Sequence, residues 1–183
     1  MSRLPRLSPD RLDEDQRALY ASIAGGPRAA GPQHFALTAD DGSLNGPFNA
    51  MLVAPRVGAA LQALGSEIRY GTSLSARVRE LAILLVAARW DSAFERSSHE
   101  AVGRAIGLTE HELDEVRSGV VPQLADPVEA AAVQLAHAMA AGDVADDDWN
   151  RLAPIVGERA AFELATLVGY YATLALQLRV FRV

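Results

Sequence analysis

Residues 90–100 read WDSAFERSSHE and place Ser92, Glu95 and His99 at spacings of three and four. A hydroxyl, a carboxylate and an imidazole are groups that move protons near neutral pH. At 100° per residue, Glu95 and His99 share one helical face with Val102 and Ile106. Arg96, Glu100 and Arg104 form a separate stripe, read as solvated. A carboxylate and an imidazole four residues apart can hydrogen-bond, and partial burial shifts the pKa of both. The plain alternative is local. Ser-x-x-Glu before an apolar run is a capping box, satisfying two backbone donors at a helix start. On that reading His99 is simply a half-buried histidine with its bonds satisfied.

A second carboxylate stands one helix earlier. Leu81 to Ala88 is apolar all round, which predicts a buried helix, and Glu80 enters it at the first turn. A buried carboxylate needs partners. Arg77, three residues before, is one candidate, and His99 is the other. Only Trp90-Asp91 separates the two helices, so an antiparallel hairpin is expected. A third polar set lies near the C-terminus, where Glu163, Thr166, Tyr170, Thr173 and Gln177 share one face of a greasy segment. That face meets water, another subunit or a polar cavity. Two Glu and a His are also metal ligands. Two-helix carboxylate sites, however, carry a repeated Glu-x-x-His, and none occurs here, so no metal is expected.

The elements that must hold these residues are helical. Ser8-Pro9 reads as the start of a first helix ending near Gly25. An irregular segment, 25–47, follows with several turn signals. It contains His34 and Phe35 and is either a pocket cover or a plain surface connection. Helices are then predicted over about 48–53, Pro55–Tyr70, from Ser73 or Ser75 to Trp90, and from Ser92 to Ile106. Thr109-x-x-Glu112 is a second capping box, for a short helix ending near Ser118. Asp126-Pro127 opens a helix to about Ala141, Asp146 to Asp148 starts a brief one, and a last helix covers about 158–178. The stretch 160–178 reads as a buried helix. No alternating segment is bounded by hairpin turns, so the class is all-α, in a single domain over 1–183.

Composition narrows the function. Half of the 183 residues are hydrophobic, 22% are charged, and the net charge is −6. That balance fits a soluble globular protein and argues against nucleic acid or an anionic membrane as partner. There is no cysteine, which removes disulfides, thiolate metal sites and thiol nucleophiles. The first ten residues lack an apolar signal core, so the cytoplasm is the expected location.

At these residues the sequence resembles the carboxymuconolactone decarboxylase family, the superfamily that includes the alkylhydroperoxidase D proteins. The ordered set is Gly46-Pro47, a Pro-started helix, Glu80, Glu95-x-x-x-His99, Gly107-Leu108-Thr109 and Tyr170-Tyr171. Where the hydroperoxidase branch carries Cys-x-x-Cys, this chain has Ser92 and Glu95. Serine cannot form a sulfenate, so thiol peroxidase activity is not expected. The decarboxylase branch is similar in its Glu-x-x-x-His, though this chain has Phe94-Glu95-Arg96 where Glu-Trp commonly follows the aromatic.

The resemblance implies an all-α subunit built around a helical hairpin and a homo-oligomer, with trimers and hexamers typical. It also implies cofactor-free loss of CO2 from a small carboxylated lactone or related acid. His99 is then the candidate acid, Glu95 orients it, and Glu80 serves as relay or base. Ser92, Arg77 and Tyr170 are candidate substrate-binding residues, with Arg77 a possible partner for the substrate carboxylate. Two other readings stand beside this one. The chain is a catalytically silent oligomeric binding protein, or a cyclase, dehydratase or isomerase of secondary metabolism on the same fold.

Overall fold

Short polar side chains and prolines set most helix starts in this chain. Its computed structural model describes residues 2–30 and 35–183. His34 lies outside them, so the expectation attached to it does too. Asp13 accepts from Gln16 N at 2.8 Å, and Gln16 Oε1 accepts from Asp13 N at 3.1 Å. This reciprocal cap starts α1 at Glu14–Ala24. The expected start at Ser8-Pro9 is corrected: those residues open only a single 3₁₀ turn, Pro9–Arg11. A short helix α2, Pro27–Ala30, follows. Proline opens α3, Pro47–Met51, and α4, Pro55–Tyr70. Ser75 Oγ accepts from Val78 N at 3.1 Å and so starts α5, Ala76–Trp90. Ser92 occupies the N-cap position of α6, Ala93–Ala105.

The remaining helices are α7, Glu110–Arg117, α8, Pro127–Ala141, α9, Asp146–Val156, and α10, Glu158–Phe181. The box at Thr109 and Glu112 is formed as expected, and Asp126 caps α8. Among the described residues the only β pairing is an isolated bridge between Thr38 and Leu44. The fold is all-α.

The backbone gathers into two compact units. One comprises residues up to Ser66 together with Leu176–Val183. Its core holds Leu12, Leu19, Ile23, Leu44, Phe48 and Leu52. The irregular segment belongs to this core where it is described: Leu37 is buried and Phe35 stacks on Phe48 at 6.4 Å.

The other unit, Glu67–Ala175, carries the candidate chemistry. At its centre α5 packs against α6, α7 and α8, and α8 packs against α9. Residues Leu81 to Ala87 are at most 3% exposed, as a helix apolar on every side requires. Asp91 ends α5 in the left-handed conformation, φ 49° and ψ 46°, and turns the chain directly into α6. One expectation fails in α10. Leu164, Leu167, Tyr171 and Leu174 are buried, but Phe162 is 74% exposed and its most apolar window is only 44% buried. The helix is buried along one side, not all round.

Candidate functional site

The hairpin of α5 and α6 brings Glu80 to His99. Glu80 lies in the first turn and a half of α5, and His99 halfway along α6. Glu80 Oε2 and His99 Nδ1 are 2.6 Å apart, with side chains 1% and 10% exposed. An ionised carboxylate only accepts, so the imidazole donates from Nδ1 and its Nε2 is left for other work. Burial by itself raises the Glu80 carboxyl. The charge and hydrogen bond of His99, with Arg69 and Arg79 behind, outweigh burial and hold it below the ordinary carboxylate range. Arg79 Nε lies 3.8 Å from Glu80 Oε1. The ring of His99 is also fixed from its side, meeting Tyr171 edge-on at 5.2 Å.

Glu95 is the opposite case. It is 2% exposed, and neither carboxyl oxygen has a hydrogen-bond partner among the described residues. Burial pushes its pKa up to about 7, and the nearby Ser92 hydroxyl offsets this only in part. A first-turn carboxylate gains about 0.3–1 kcal/mol from the helix dipole. A rise from 4.5 to about 7 corresponds to about 3 kcal/mol against the charged form, so desolvation wins. Below about pH 7 Glu95 is a neutral carboxylic acid, a hydrogen-bond donor one turn from His99.

This geometry corrects three expectations. The capping box at Ser92 and Glu95 does not form: the Ser92 side chain makes no cap bond, and its Oγ is buried without a partner among the described residues. The local explanation of these two residues therefore fails. Glu95 does not orient His99, because Glu80 holds that bond. A tertiary contact across the hairpin displaces the expected i, i+4 pair. Finally, Glu100 is not solvated. It is 9% exposed and gripped by Arg117 at 2.9 Å, with Arg104 at 3.4 Å.

Two of the expected substrate-binding residues are engaged elsewhere. Arg77 is neither the partner of Glu80 nor free for a ligand. It bonds Glu112 of α7 at 2.5 Å, Glu129 of α8 at 3.2 Å and the carbonyl of Gly107 at 3.1 Å. Residues three apart on a helix are neighbours, but two carboxylates and a carbonyl draw the Arg77 guanidinium toward α7 and α8 instead. Tyr170 is 5% exposed and meets Tyr171 edge-on at 5.2 Å. Tyr171 is the aromatic that touches His99; the sequence reading names it in the Tyr170-Tyr171 pair but chooses Tyr170 for the site. Its signal was present: with Leu164, Leu167 and Leu174 it forms the apolar stripe of α10 that must face inward. The polar stripe itself divides. Glu163 accepts from Ser73 Oγ at 2.6 Å and pairs with Arg159 at 2.9 Å, whereas Thr173 is exposed.

Among the described residues no three His, Asp or Glu side chains are arranged to hold a metal. The assembled set is a proton-handling one: an oriented imidazole, an ionised carboxylate behind it and a neutral carboxylic acid beside it. Compared with known families, residues 55–138 match the carboxymuconolactone decarboxylase family. The matched span includes Arg77, Glu80, Ser92, Glu95 and His99, and stops before Tyr170. No curated protein matches the chain.

Proposed function

We propose that this chain, whose residues 55–138 belong to the carboxymuconolactone decarboxylase family, is a cofactor-independent acid/base lyase acting on a small carboxylated lactone or related acid. The observation that carries the reading is the buried 2.6 Å contact between Glu80 and His99 Nδ1, with unpartnered Glu95 one turn away. Decarboxylation breaks the bond between the substrate carbon and its carboxylate. CO2 leaves, and the electron pair passes into the lactone carbonyl as an enolate. The carbon then takes one proton, which the donor recovers from water.

Glu80 is the positioning residue, fixing the ring and its tautomer. In its doubly protonated form, with the Nδ1 proton held by Glu80, His99 donates the Nε2 proton to carbon and is left as the Nδ1-protonated neutral ring, which then takes a proton back from water. Glu95, while neutral, donates a hydrogen bond to the enolate oxygen, where a charged carboxylate would repel it. Arg77 has no part in binding, since its guanidinium is spent on Glu112 and Glu129.

A screen of carboxylated lactones and related acids, read as CO2 release, tests this. Positioned acid/base groups contribute roughly 10²–10⁴-fold. On any substrate found, His99→Ala should lose activity in that range, and Glu80→Met should lose most of it. Activity that survives His99→Ala would sink the reading.

The second reading, a catalytically silent binding protein, draws on one observation. His99 is only 10% exposed at its side chain and packed on Tyr171. Substrate must displace that packing to reach Nε2, and ring access by a water-soluble histidine reagent separates the two readings.

A further inference from the structure

Two arginines beside the acid/base pair have hydrogen-bonding capacity that the fold does not spend. Arg79 directly precedes Glu80 in α5, and its side chain is 18% exposed. Its Nε lies 3.8 Å from Glu80 Oε1, too far for a hydrogen bond. Both atoms are buried without a partner among the described residues. Arg69, in the last turn of α4 and within the same compact unit, is half-buried. It lies over the ring of Tyr70 at 5.8 Å. A guanidinium placed so uses its face and keeps its N–H edges for other partners. Among the described residues those edges make no hydrogen bond.

Other arginines of this unit are spent. Arg77, Arg104 and Arg117 hold Glu112, Glu110 and Glu100 at 2.5, 2.6 and 2.9 Å. A buried donor left open costs free energy that such pairs avoid. The open donor of Arg79 therefore suits a ligand better than it suits the fold.

Charge points the same way. The chain has a net charge of −6, yet Arg69 and Arg79 both act on the single anion Glu80. Two guanidiniums against one carboxylate leave one positive charge, and neutral Glu95 does not offset it. A second carboxylate cancels that charge and matches a planar guanidinium with two parallel hydrogen bonds. A lactone carbonyl accepts hydrogen bonds but cancels no charge.

Resting on the acid/base reading above, we propose that Arg79, assisted by Arg69, binds a carboxylate that stays on the substrate while another is lost. Guanidiniums on the departing carboxylate would stabilise the ground state, because its charge leaves it as CO2 forms. The carboxylate they take is a handle. The substrate is then an acid that keeps a carboxylate after the reaction.

The test reads binding without turnover. The probes are paraconate, a saturated lactone with its carboxylate on the carbon β to the carbonyl, and its methyl ester. Loss of CO2 from that carbon gives no enolate, so the acid does not react. In ¹⁵N NMR of arginine side chains, the Arg79 Nε–H signal is assigned by its loss in Arg79→Lys. Paraconate should shift that signal saturably, and the ester should not. Arg79→Met should weaken acid binding roughly tenfold or more, the scale of a charged hydrogen bond, and leave ester binding unchanged. Arg79→Lys should fall between, since it keeps the charge and loses the planar fork. Arg77→Met removes the same charge two residues away and should bind the acid like the unmodified chain. Circular dichroism should match for all of these variants.

Equal binding of acid and ester, or equal weakening of both by Arg79→Met, would make Arg79 a support for Glu80 and overturn the proposal. So would acid binding that leaves the Arg79 signal in place, or no acid binding at all. The lyase reading is judged separately, by CO2 release and its loss in His99→Ala. A chain that decarboxylates nothing can still bind the acid through Arg79.

Discussion

Two carboxylates four turns of chain apart end with opposite protonation, and solvent access does not decide which. Glu80 and Glu95 are 1% and 2% exposed. Glu80 has an imidazole at 2.6 Å and two arginines behind it, whereas Glu95 has no partner among the described residues. The sign of the resulting pH dependence follows. In the unfolded chain Glu95 ionises near 4.5, but in the folded chain only near 7. Its contribution is fully present below pH 4.5 and is lost as pH rises through about 7, a fall of about 3 kcal/mol. Glu80, Glu112 and Glu163 are held low and act in the other direction, losing their contribution as pH falls below their unfolded values. Urea unfolding should therefore show highest stability near pH 5. Glu95→Gln, which mimics the neutral acid, should flatten the decline between pH 5 and 8 and leave the acid limb unchanged. At the same scale, ¹⁵N NMR of His99 should find its neutral ring protonated at Nδ1, and Glu80→Met should shift the ring toward the Nε2-protonated tautomer. The sequence spacing names this trio, because Glu95 and His99 continue an apolar face and Glu80 enters an apolar helix. It does not assign the pairs. Which carboxylate meets the imidazole depends on how the hairpin closes, and Arg77, which helical spacing places beside Glu80, is drawn away to Glu112 and Glu129.

At the scale of elements, caps and breakers carry the legible part. Apart from α10, which starts at Glu158, helices from Pro47 onward begin at Pro, Ser, Thr or Asp, and the chain follows that punctuation closely. It misleads at Ser8-Pro9, where Asp13 and Gln16 form the stronger cap. It also misleads at Ser92, whose box sequence is present while both side chains point into the protein. The two caps can be compared directly. Thr109→Ala should cost about 1 kcal/mol, the usual loss for a formed N-cap. Ser92→Ala should cost clearly less in thermal unfolding, since it makes no cap bond. An equal loss at both positions would show that Ser92 caps α6 after all. Pro154 lies within α9, two residues from its end, and removes the donor that would bond the carbonyl four residues back. A reading that ends helices at proline makes this helix too short.

For the molecule as a whole, burial is what sequence periodicity handles least well. A segment apolar on most sides reads as core, yet α10 buries one side and leaves Phe162 outside. An apolar stripe looks the same whether its own chain or another copy covers it. Arg77 shows the converse. A charged residue near the site reads as a ligand contact, but it ties α5 to α7 and α8. Arg77→Met should lower stability by about 1.5–3 kcal/mol, the range for hydrogen bonds to charged groups, with its partial exposure favouring the lower end. On any carboxylated substrate it should leave KM within twofold, whereas a substrate-binding arginine would raise it tenfold or more.

The central claim is that an acid kept neutral by burial stands beside an oriented imidazole. The direct measurement is a ¹³C NMR titration of the glutamate side-chain carboxyls, with Glu95 assigned by its absence in Glu95→Gln. The account predicts that the Glu95 signal titrates near pH 7, well above every exposed glutamate. A Glu95 signal that titrates in the ordinary carboxylate range would mean that water or a partner reaches this carboxylate. It would then be an ordinary anion, and the acid/base site would lose its neutral donor.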